Sequence, residues 1–332
     1  MKITPEVMQT AVQHVQAVRA ALVQHVHGQD QAIDALLACV FGGGHALLEG
    51  VPGTGKTTLA KSLANILGLD LGRVQFTPDL MPADVTGTTM MAQGEGGARG
   101  VLFRPGPIFH SIVLADEINR AAARTQSALL EAMAESQVTV AGETHRLPSP
   151  FMVLATENPL EMEGTHRLPQ AQLDRFMMRI DMAPSDHIAM EAIIQEGSSS
   201  SHPSPTSVVD GSVCLMIMRA AKAVLVAPHV DRWIAQLVLA TADSEVGGDI
   251  PSLLETPCSP RAAMSIRSAA QVVALSQSRL AMSCSDVMAV VRDCLRHRVM
   301  PGPMAIREGV GAKMLLERIL DAVPPPAARV MQ

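Results

Sequence analysis

The most constraining feature of this chain is the segment 50–57, GVPGTGKT, which matches the pattern G-x-x-x-x-G-K-[ST] at every fixed position. The apolar segment 45–49 before it predicts a β-strand, and segment 58–64 after it predicts an α-helix. In that setting the backbone N–H groups of the loop and the helix N-terminus surround a phosphate, Lys56 reaches the β- and γ-phosphates, and the Thr57 hydroxyl ligates magnesium. We therefore predict a nucleoside triphosphate site. Its predicted binding residues are Gly50, Pro52, Gly53, Thr54, Gly55, Lys56, Thr57 and Thr58.

Two further apolar strands are predicted to end in polar residues. Segment 111–115 runs into Asp116 and Glu117, and segment 151–156 runs into Glu157 and Asn158. In an open α/β sheet the ligand lies at the carboxyl ends of the strands, so Asp116 suits the magnesium shell and Glu117 suits activation of the attacking water. Asn158 suits holding that water against the γ-phosphate. Taken alone, an acidic turn after a strand and an Asn-Pro turn explain the same residues.

Together with the phosphate loop, four segments resemble the MoxR family of AAA+ ATPases: LADEINRA (114–121), RTQSALLEAM (124–133), ATENP (155–159) and AQLDRF (171–176). The resemblance extends from about residue 28 to about residue 299. It implies an α/β fold, with a P-loop AAA+ core of parallel sheet and helices on both faces, followed by a smaller all-helical lid domain. We expect an N-terminal helical segment at 1–27, the nucleotide-binding core at 28–183, a linker at 184–212, the lid at 213–323 and a tail at 324–332.

The resemblance also implies roles for individual residues. Asp116 and Glu117 would form the Walker B pair, and Asn158 would be the sensor 1 residue. Arg175 would be the arginine finger that reaches the γ-phosphate of a neighbouring subunit. Arg261 would be the sensor 2 arginine of the lid. Ser259 and Pro260 predict the start of a helix that could aim Arg261 back toward the site.

The residues themselves leave alternatives open for the arginines. An exposed Asp174–Arg175 ion pair would explain Arg175 without catalysis and would contribute little stability. Arg120, Arg124 and Arg179 compete for the contact with a neighbouring subunit.

Two segments interrupt the predicted core. Residues 88–104 contain Gly-Glu-Gly-Gly and predict a loop or hairpin, and residues 137–146 predict a strand, a turn and a second strand. They resemble the family's helix-2 insert and pre-sensor-1 hairpin, which face the pore of a ring. The first segment contains one aromatic residue, Phe103, and the second contains none, whereas AAA+ unfoldases generally grip clients with an aromatic pore residue. With Met90 and Met91 offering a softer contact, we predict local remodelling of a client rather than processive threading.

Charge and composition limit the classes of partner that this chain can bind. There are 13 basic and 22 acidic residues up to position 212, and 13 basic and 10 acidic residues after it. An acidic core and only seven aromatic residues argue against a nucleic-acid motor. The one basic cluster, Arg292, Arg296, His297 and Arg298, is explained equally well by a solvated helix face. The chain has no stretch of eighteen apolar residues and no signal peptide, and its five cysteines lack C-x-x-C spacing, so we expect a cytoplasmic protein without membrane insertion.

These observations favour a MoxR-type ATPase that uses ATP and Mg²⁺ to remodel a protein client. The family implies self-assembly into a ring, a hexamer, and a partner that carries a von Willebrand factor A domain. A related hypothesis is that the chain is the ATPase subunit of a magnesium-chelatase-like metal-insertion complex. A hypothesis from another functional class is a nucleotide-gated scaffold that turns ATP over slowly.

Overall fold

A computed structural model describes residues 4–93, 99–159, 168–197 and 205–326. Elements are numbered in chain order. The helices are α1 (Pro5–His25), α2 (Asp30–Gly42), α3 (Lys56–Ile66), α4 (Pro82–Thr86), α5 (Ala123–Glu135), α6 (Gln170–Leu173), α7 (His187–Gly197), α8 (Gly211–Ala223), α9 (Pro228–Leu239), α10 (Ser244–Gly247), α11 (Ile250–Leu253), α12 (Pro260–Ser276), α13 (Cys284–Leu295), α14 (Pro303–Arg307) and α15 (Ala312–Ala322). The strands are β1 (Ala46–Glu49), β2 (Leu71–Gln75), β3 (Gly87–Gln93), β4 (Arg99–Pro105), β5 (Ile112–Asp116), β6 (Gln137–Val140), β7 (Glu143–Arg146), β8 (Met152–Glu157), β9 (Met178–Asp181), β10 (Leu225–Val226) and β11 (Ala281–Met282).

The centre of the molecule is a five-stranded sheet in the order β2-β5-β8-β1-β9. Every neighbouring pair is parallel. All five strands therefore end at the same edge, and the residues that follow β1, β5 and β8 meet there. This arrangement confirms the predicted parallel sheet.

Helices cover both faces of the sheet, because its strands are apolar on both sides. Leu48 and Leu154 pack with α1, α2 and α3 in one buried cluster. Their chain neighbours Leu47 and Val153 point the other way and pack with α5 in a second cluster. The first cluster continues without a break into α8, α9, α12 and α13, so the sheet and the lid share one core.

Both interruptions of the core are antiparallel hairpins. Strand β3 pairs with β4, and β6 pairs with β7. Ala141 and Gly142, at the turn of the second hairpin, have φ values of 51° and 87°. Two successive positive φ angles are those of a type I′ turn, which suits a two-residue hairpin.

The C-terminal part is helical, as predicted, apart from β10 and β11, which form a two-residue parallel pair. Helix α7 lies inside segment 184–212, for which we predicted a linker, and residues 198–204 of that segment lie outside the described residues. Helix α1 packs against α2, α3, α8 and α12, so the N-terminal segment joins core to lid.

The basic cluster near the end of α13 is not a solvated helix face. Arg292 pairs with Glu317, and Arg296 pairs with Asp181 and Asp293. His297 and Arg298 are buried, at 1% and 2% exposure. Hydrophobic periodicity did not reveal this, because burial here depends on how the chain beyond α13 lies against the sheet. Within the described part of the chain, the helices are all too short or too polar to cross a membrane.

Candidate functional site

The loop between β1 and α3 has the geometry of a phosphate cradle. Gly53 and Gly55 have φ values of 86° and 85°, a conformation that favours glycine, and a Cβ at either position would lie in open space. Helix α3 begins at Lys56 and has no side-chain cap, so the N–H groups of its first turn are available to an anion. The residues present therefore fit the triphosphate that the motif predicts.

Lys56 is folded over the same loop. Its Nζ donates to the carbonyl oxygen of Gly50 and, at 3.1 Å, to that of Val51. Gly50 is itself fixed from the other side, because the chain directly after β9 lies against it and a Cβ there would approach Met182 to 2.9 Å. The carboxyl end of β9 is therefore at the phosphate loop.

A cavity of about 330 Å³ opens over this loop, at the carboxyl edge of the sheet. A larger cavity of about 590 Å³ lies between α1, α2, α12 and α13 and includes none of the residues predicted for nucleotide binding. The residues lining the smaller cavity are Pro52, Gly53, Thr54, Gly55, Lys56, Thr57, Thr58, Asp116, Glu117, Thr156, Glu157 and Asn158. The fold thus brings together the loop, the acidic pair and the asparagine that the sequence singled out from three separate strands.

Asp116 is buried at the end of β5 with both carboxylate oxygens hydrogen-bonded. Thr156 Oγ1 donates to Asp116 Oδ1 at 2.7 Å, and Arg73 Nη2 donates to Asp116 Oδ2 at 2.8 Å. The same Thr156 hydroxyl accepts the backbone N–H of Glu117 at 2.9 Å. One side chain of strand β8 therefore fixes the Asp116 carboxylate and the backbone of Glu117.

Glu117 lies one residue beyond β5 with φ 55° and ψ 49°, a left-handed conformation that is uncommon for a glutamate. Its Oε2 accepts from Arg120 Nη1 at 2.8 Å and from Gln75 Nε2 at 3.0 Å. Gln75 Oε1 in turn accepts from Arg73 Nη2 at 3.1 Å. A hydrogen-bonded chain from β2 thus holds both carboxylates. Sequence reasoning missed Arg73 and Gln75, because only the sheet order places β2 beside β5.

Glu157 is a third acidic residue of the cavity that sequence reasoning did not assign. It ends β8 beside Glu49, its register partner at the end of β1. Burial raises the pKa of Glu157 from the ordinary 4.5 to about 7. Asn158 follows it and is 7% exposed. The signal available in the sequence was the position of Glu157 at a strand end, directly before the predicted asparagine.

Arg175 and Arg261 lie away from this cavity. Arg175 precedes β9, whose carboxyl end is at the phosphate loop, and a four-residue strand spans about 13 Å. The Arg175 guanidinium donates to the carbonyl oxygen of Leu130 on α5. Ser259 caps the helix as predicted, because its hydroxyl oxygen accepts the backbone N–H of Arg261 at 3.1 Å. The Arg261 side chain, however, points to Asp174, with Arg261 Nη1 3.7 Å from Asp174 Oδ2. The expectation that the helix aims Arg261 at its own site is thus not met, because the start of α12 packs at the amino end of β9.

The competing arginines are distributed differently. Arg120 contacts Glu117 and so belongs to the site of its own chain. Arg179, within β9, pairs with Glu49. Arg124 is exposed in the first turn of α5.

Comparison with known proteins places this geometry in a family. Residues 45–178 match the model of the ATPase family associated with various cellular activities (AAA), and residues 252–319 match an AAA lid domain. The chain is 37% identical to the chaperone MoxR1 of Mycobacterium tuberculosis, over 90% of this chain and 79% of that protein. It is 39% identical to the uncharacterized protein YeaC of Bacillus subtilis, over 96% and 95%, and 32% identical to the protein MoxR of Methylorubrum extorquens, over 92% and 93%.

A solved structure agrees with the sequence relatives. A crystal structure of a candidate ATPase from Cytophaga hutchinsonii superposes with a TM-score of 0.88 and 35% identity, covering 96% of this chain and 97% of that one. The phosphate loop, the strand-end carboxylates, the helical lid and these matches together establish that the chain belongs to the MoxR family of AAA+ ATPases.

Proposed function

We propose that this protein hydrolyses ATP in the cavity over the phosphate loop and uses the energy, as a ring, to remodel a protein client. One observation carries the proposal. The cavity gathers Lys56, Asp116, Glu117 and Asn158, whereas Arg175 lies at the opposite end of β9. A site that holds the lysine, the carboxylates and the asparagine but not Arg175 suits an assembly in which the neighbouring subunit supplies that arginine.

The binding roles follow from the loop. Backbone N–H groups of residues 50–55 and the start of α3 would hold the phosphates, with Lys56 turning from the carbonyl oxygens of Gly50 and Val51 to the β- and γ-phosphates. Thr57 and Asp116 would hold magnesium, whose charge stabilises the transferring phosphoryl group. Asp116 fits this role because Thr156 and Arg73 already fix the orientation of its carboxylate.

The catalytic roles fall to the strand ends. Glu117 would accept a proton from the attacking water, and Asn158 would hold that water in line. Gln75 and Arg120 orient the Glu117 carboxylate through its Oε2. Arg175 and Arg261 would act on the cavity of the next subunit, because both lie at the amino end of β9, far from their own. Contacts of this head-to-tail kind close into rings, and the family implies a hexamer.

We assign contact with the client to the β3–β4 hairpin. Its described residues expose four large apolar side chains, Met90 at 42%, Met91 at 72%, Val101 at 74% and Leu102 at 56%. Phe103 is half-buried and stacks on His145 of the second hairpin, with ring centroids 4.0 Å apart. Because the aromatic side chain of the insert is engaged, a soft aliphatic surface would meet the client, which suits local remodelling. A partner with a von Willebrand factor A domain would present that client, as the family implies.

Subunit mixing tests the shared site. Lys56→Ala removes the phosphate-binding lysine, and Arg175→Ala removes the proposed finger, an effect that reaches roughly 10³–10⁵ in rate. Each variant alone should form inactive rings, and the Arg175 variant should still bind ATP. Mixing them should restore activity, since some interfaces pair an intact phosphate loop with an intact arginine. Inactivity at every mixing ratio, with subunit exchange demonstrated, would refute the assignment of Arg175 and move the role to Arg120, Arg124 or Arg179.

A further inference from the structure

The lid packs against the segment that carries Arg175. We call residues 174–177, between α6 and β9, the finger segment. His297 and Arg298 follow α13 of the lid and are buried against this segment. Among the fully buried side chains of the described chain, Arg298 is one of the largest. A charged side chain at such depth needs a full set of partners.

The hydrogen-bond acceptors of Arg298 lie on both sides of Arg175 in the chain. Its Nε donates to Asp174 Oδ1 at 2.8 Å, and its Nη2 donates to the carbonyl oxygens of Asp174 at 3.0 Å and Phe176 at 2.8 Å. Its Nη1 donates to the carbonyl oxygen of Met177 at 3.3 Å. The remaining bonds go to the lid, to the Cys294 carbonyl and to Ser265 Oγ. The guanidinium thus joins the lid to the backbone immediately before and after Arg175.

Two neighbouring contacts strengthen this link. His297 Nε2 lies 3.1 Å from the Phe176 carbonyl oxygen. Burial, and then the charge of Arg298, lower the pKa of His297 well below its ordinary value, so the ring is neutral and its Nε2–H donates. On the other side, Asp174 Oδ2 accepts from Ser259 Oγ at 2.8 Å, at the start of α12. Two lid helices therefore hold the finger segment.

We infer that Arg298 is a positioning residue for Arg175, and that it sets the place from which Arg175 reaches the cavity of the neighbouring subunit. The inference rests on the proposed role of Arg175. Arg298 itself does not line the nucleotide cavity, and its hydrogen bonds go to the chain neighbours of Arg175 rather than to the Arg175 side chain. It acts through backbone carbonyls that a rigid guanidinium fork can bind together and that a lysine ammonium cannot.

Subunit mixing with Arg298→Lys tests this inference. The lysine keeps a charge beside Asp174 but loses the fork on the finger segment. Alone, the variant should lower kcat for ATP roughly 10- to 100-fold, a fraction of the full finger effect, and leave KM within about 3-fold. Mixed with Lys56→Ala it should regain activity, because it supplies an intact phosphate loop. Mixed with Arg175→Ala it should regain almost none, because neither subunit presents a placed arginine.

That difference between mixing partners separates positioning from general damage. A lid weakened as a whole would fail equally with both partners, and that result, or equal rescue of both, would overturn the inference. Arg279→Lys is the matched control, since Arg279 pairs with buried Asp286 elsewhere in the lid and should keep wild-type kcat. Circular dichroism and thermal melting would confirm folding.

A second variant keeps the test informative if Arg298→Lys fails to fold. His297→Phe retains ring volume and removes one hydrogen bond to Phe176, and it should give the same partner-dependent pattern with a smaller loss. The pair Lys56→Ala with Arg175→Ala is run alongside. If that pair is not rescued, the role of Arg175 fails. If it is rescued and Arg298→Lys also rescues Arg175→Ala, only the role of Arg298 fails.

Discussion

Replacing Glu157 with glutamine should stabilise the protein in a pH-dependent way. Burial raises the pKa of the Glu157 carboxyl from 4.5 to about 7, so the folded state holds its proton more tightly than the unfolded state does. The cost of ionising Glu157 in the fold is thus absent below pH 4.5, grows as pH rises toward 7, and is constant above. Linkage puts that cost at about 3 kcal/mol at pH 8 and below about 1 kcal/mol at pH 5. Glutamine has nearly the same shape and no charge to bury.

The assay is urea unfolding of wild type and Glu157→Gln at pH 5 and pH 8, without nucleotide. We expect a higher midpoint for the variant at pH 8 and nearly equal midpoints at pH 5. Comparing the two proteins at each pH cancels other titrating groups, such as Asp293, whose pKa burial raises to about 6. Glu143→Gln, on the exposed β6–β7 hairpin, is the matched control and should leave both midpoints unchanged.

Two results would refute this reasoning. Equal midpoints at pH 8 would mean that water solvates the carboxylate in the cavity. A variant less stable than wild type at pH 8 would mean that the Glu157 carboxylate makes a favourable contact in the folded state.

Two further predictions concern turnover and clients. Glu117→Gln should keep ATP affinity within about 3-fold while lowering kcat by about 10²–10⁴, whereas Lys56→Ala should weaken ATP binding itself; equal loss of affinity in a nucleotide titration would contradict the assignment of Glu117. Met91→Asp should impair action on a client but not basal ATP turnover, because Met91 is exposed far along the β3–β4 hairpin; complete unfolding of a stable tagged domain by this protein alone would contradict local remodelling.

The geometry of the cavity over the phosphate loop was largely predictable because its parts are local. The segment GVPGTGKT specifies a strand, a loop and a helix within a few residues, and Asp116 and Asn158 each end an apolar strand. Once the strands are taken as parallel, their ends must meet at one edge. Both hairpins were predictable for the same reason, since each is a continuous segment.

Residues that sequence reasoning missed depend on contacts between distant segments. Arg73 and Gln75 reach the carboxylates only because β2 lies beside β5 in the sheet. Arg298 meets Asp174 across more than a hundred residues of chain. The cluster around residues 292–298 carries charges that are typical of an exposed helix, and nothing local distinguishes a solvated arginine from one with buried partners.

Two arginines of the lid, Arg261 and Arg298, pair with Asp174, and the two ion pairs differ in the free energy needed to break them. Arg261 is 55% exposed and 3.7 Å from the carboxylate, and such an exposed pair contributes at most about 1 kcal/mol. Arg298 is 2% exposed at 2.8 Å, and breaking a buried pair of this kind costs about 3–5 kcal/mol. In the proposed ring, Arg261 would therefore exchange its carboxylate for a phosphate of the next subunit, while Arg298 would keep the finger segment in place. Because the lid holds the backbone on both sides of Arg175, a rotation of the lid in one subunit of the proposed ring would shift the arginine offered to the next subunit. The physical link between neighbouring sites would then run through Asp174.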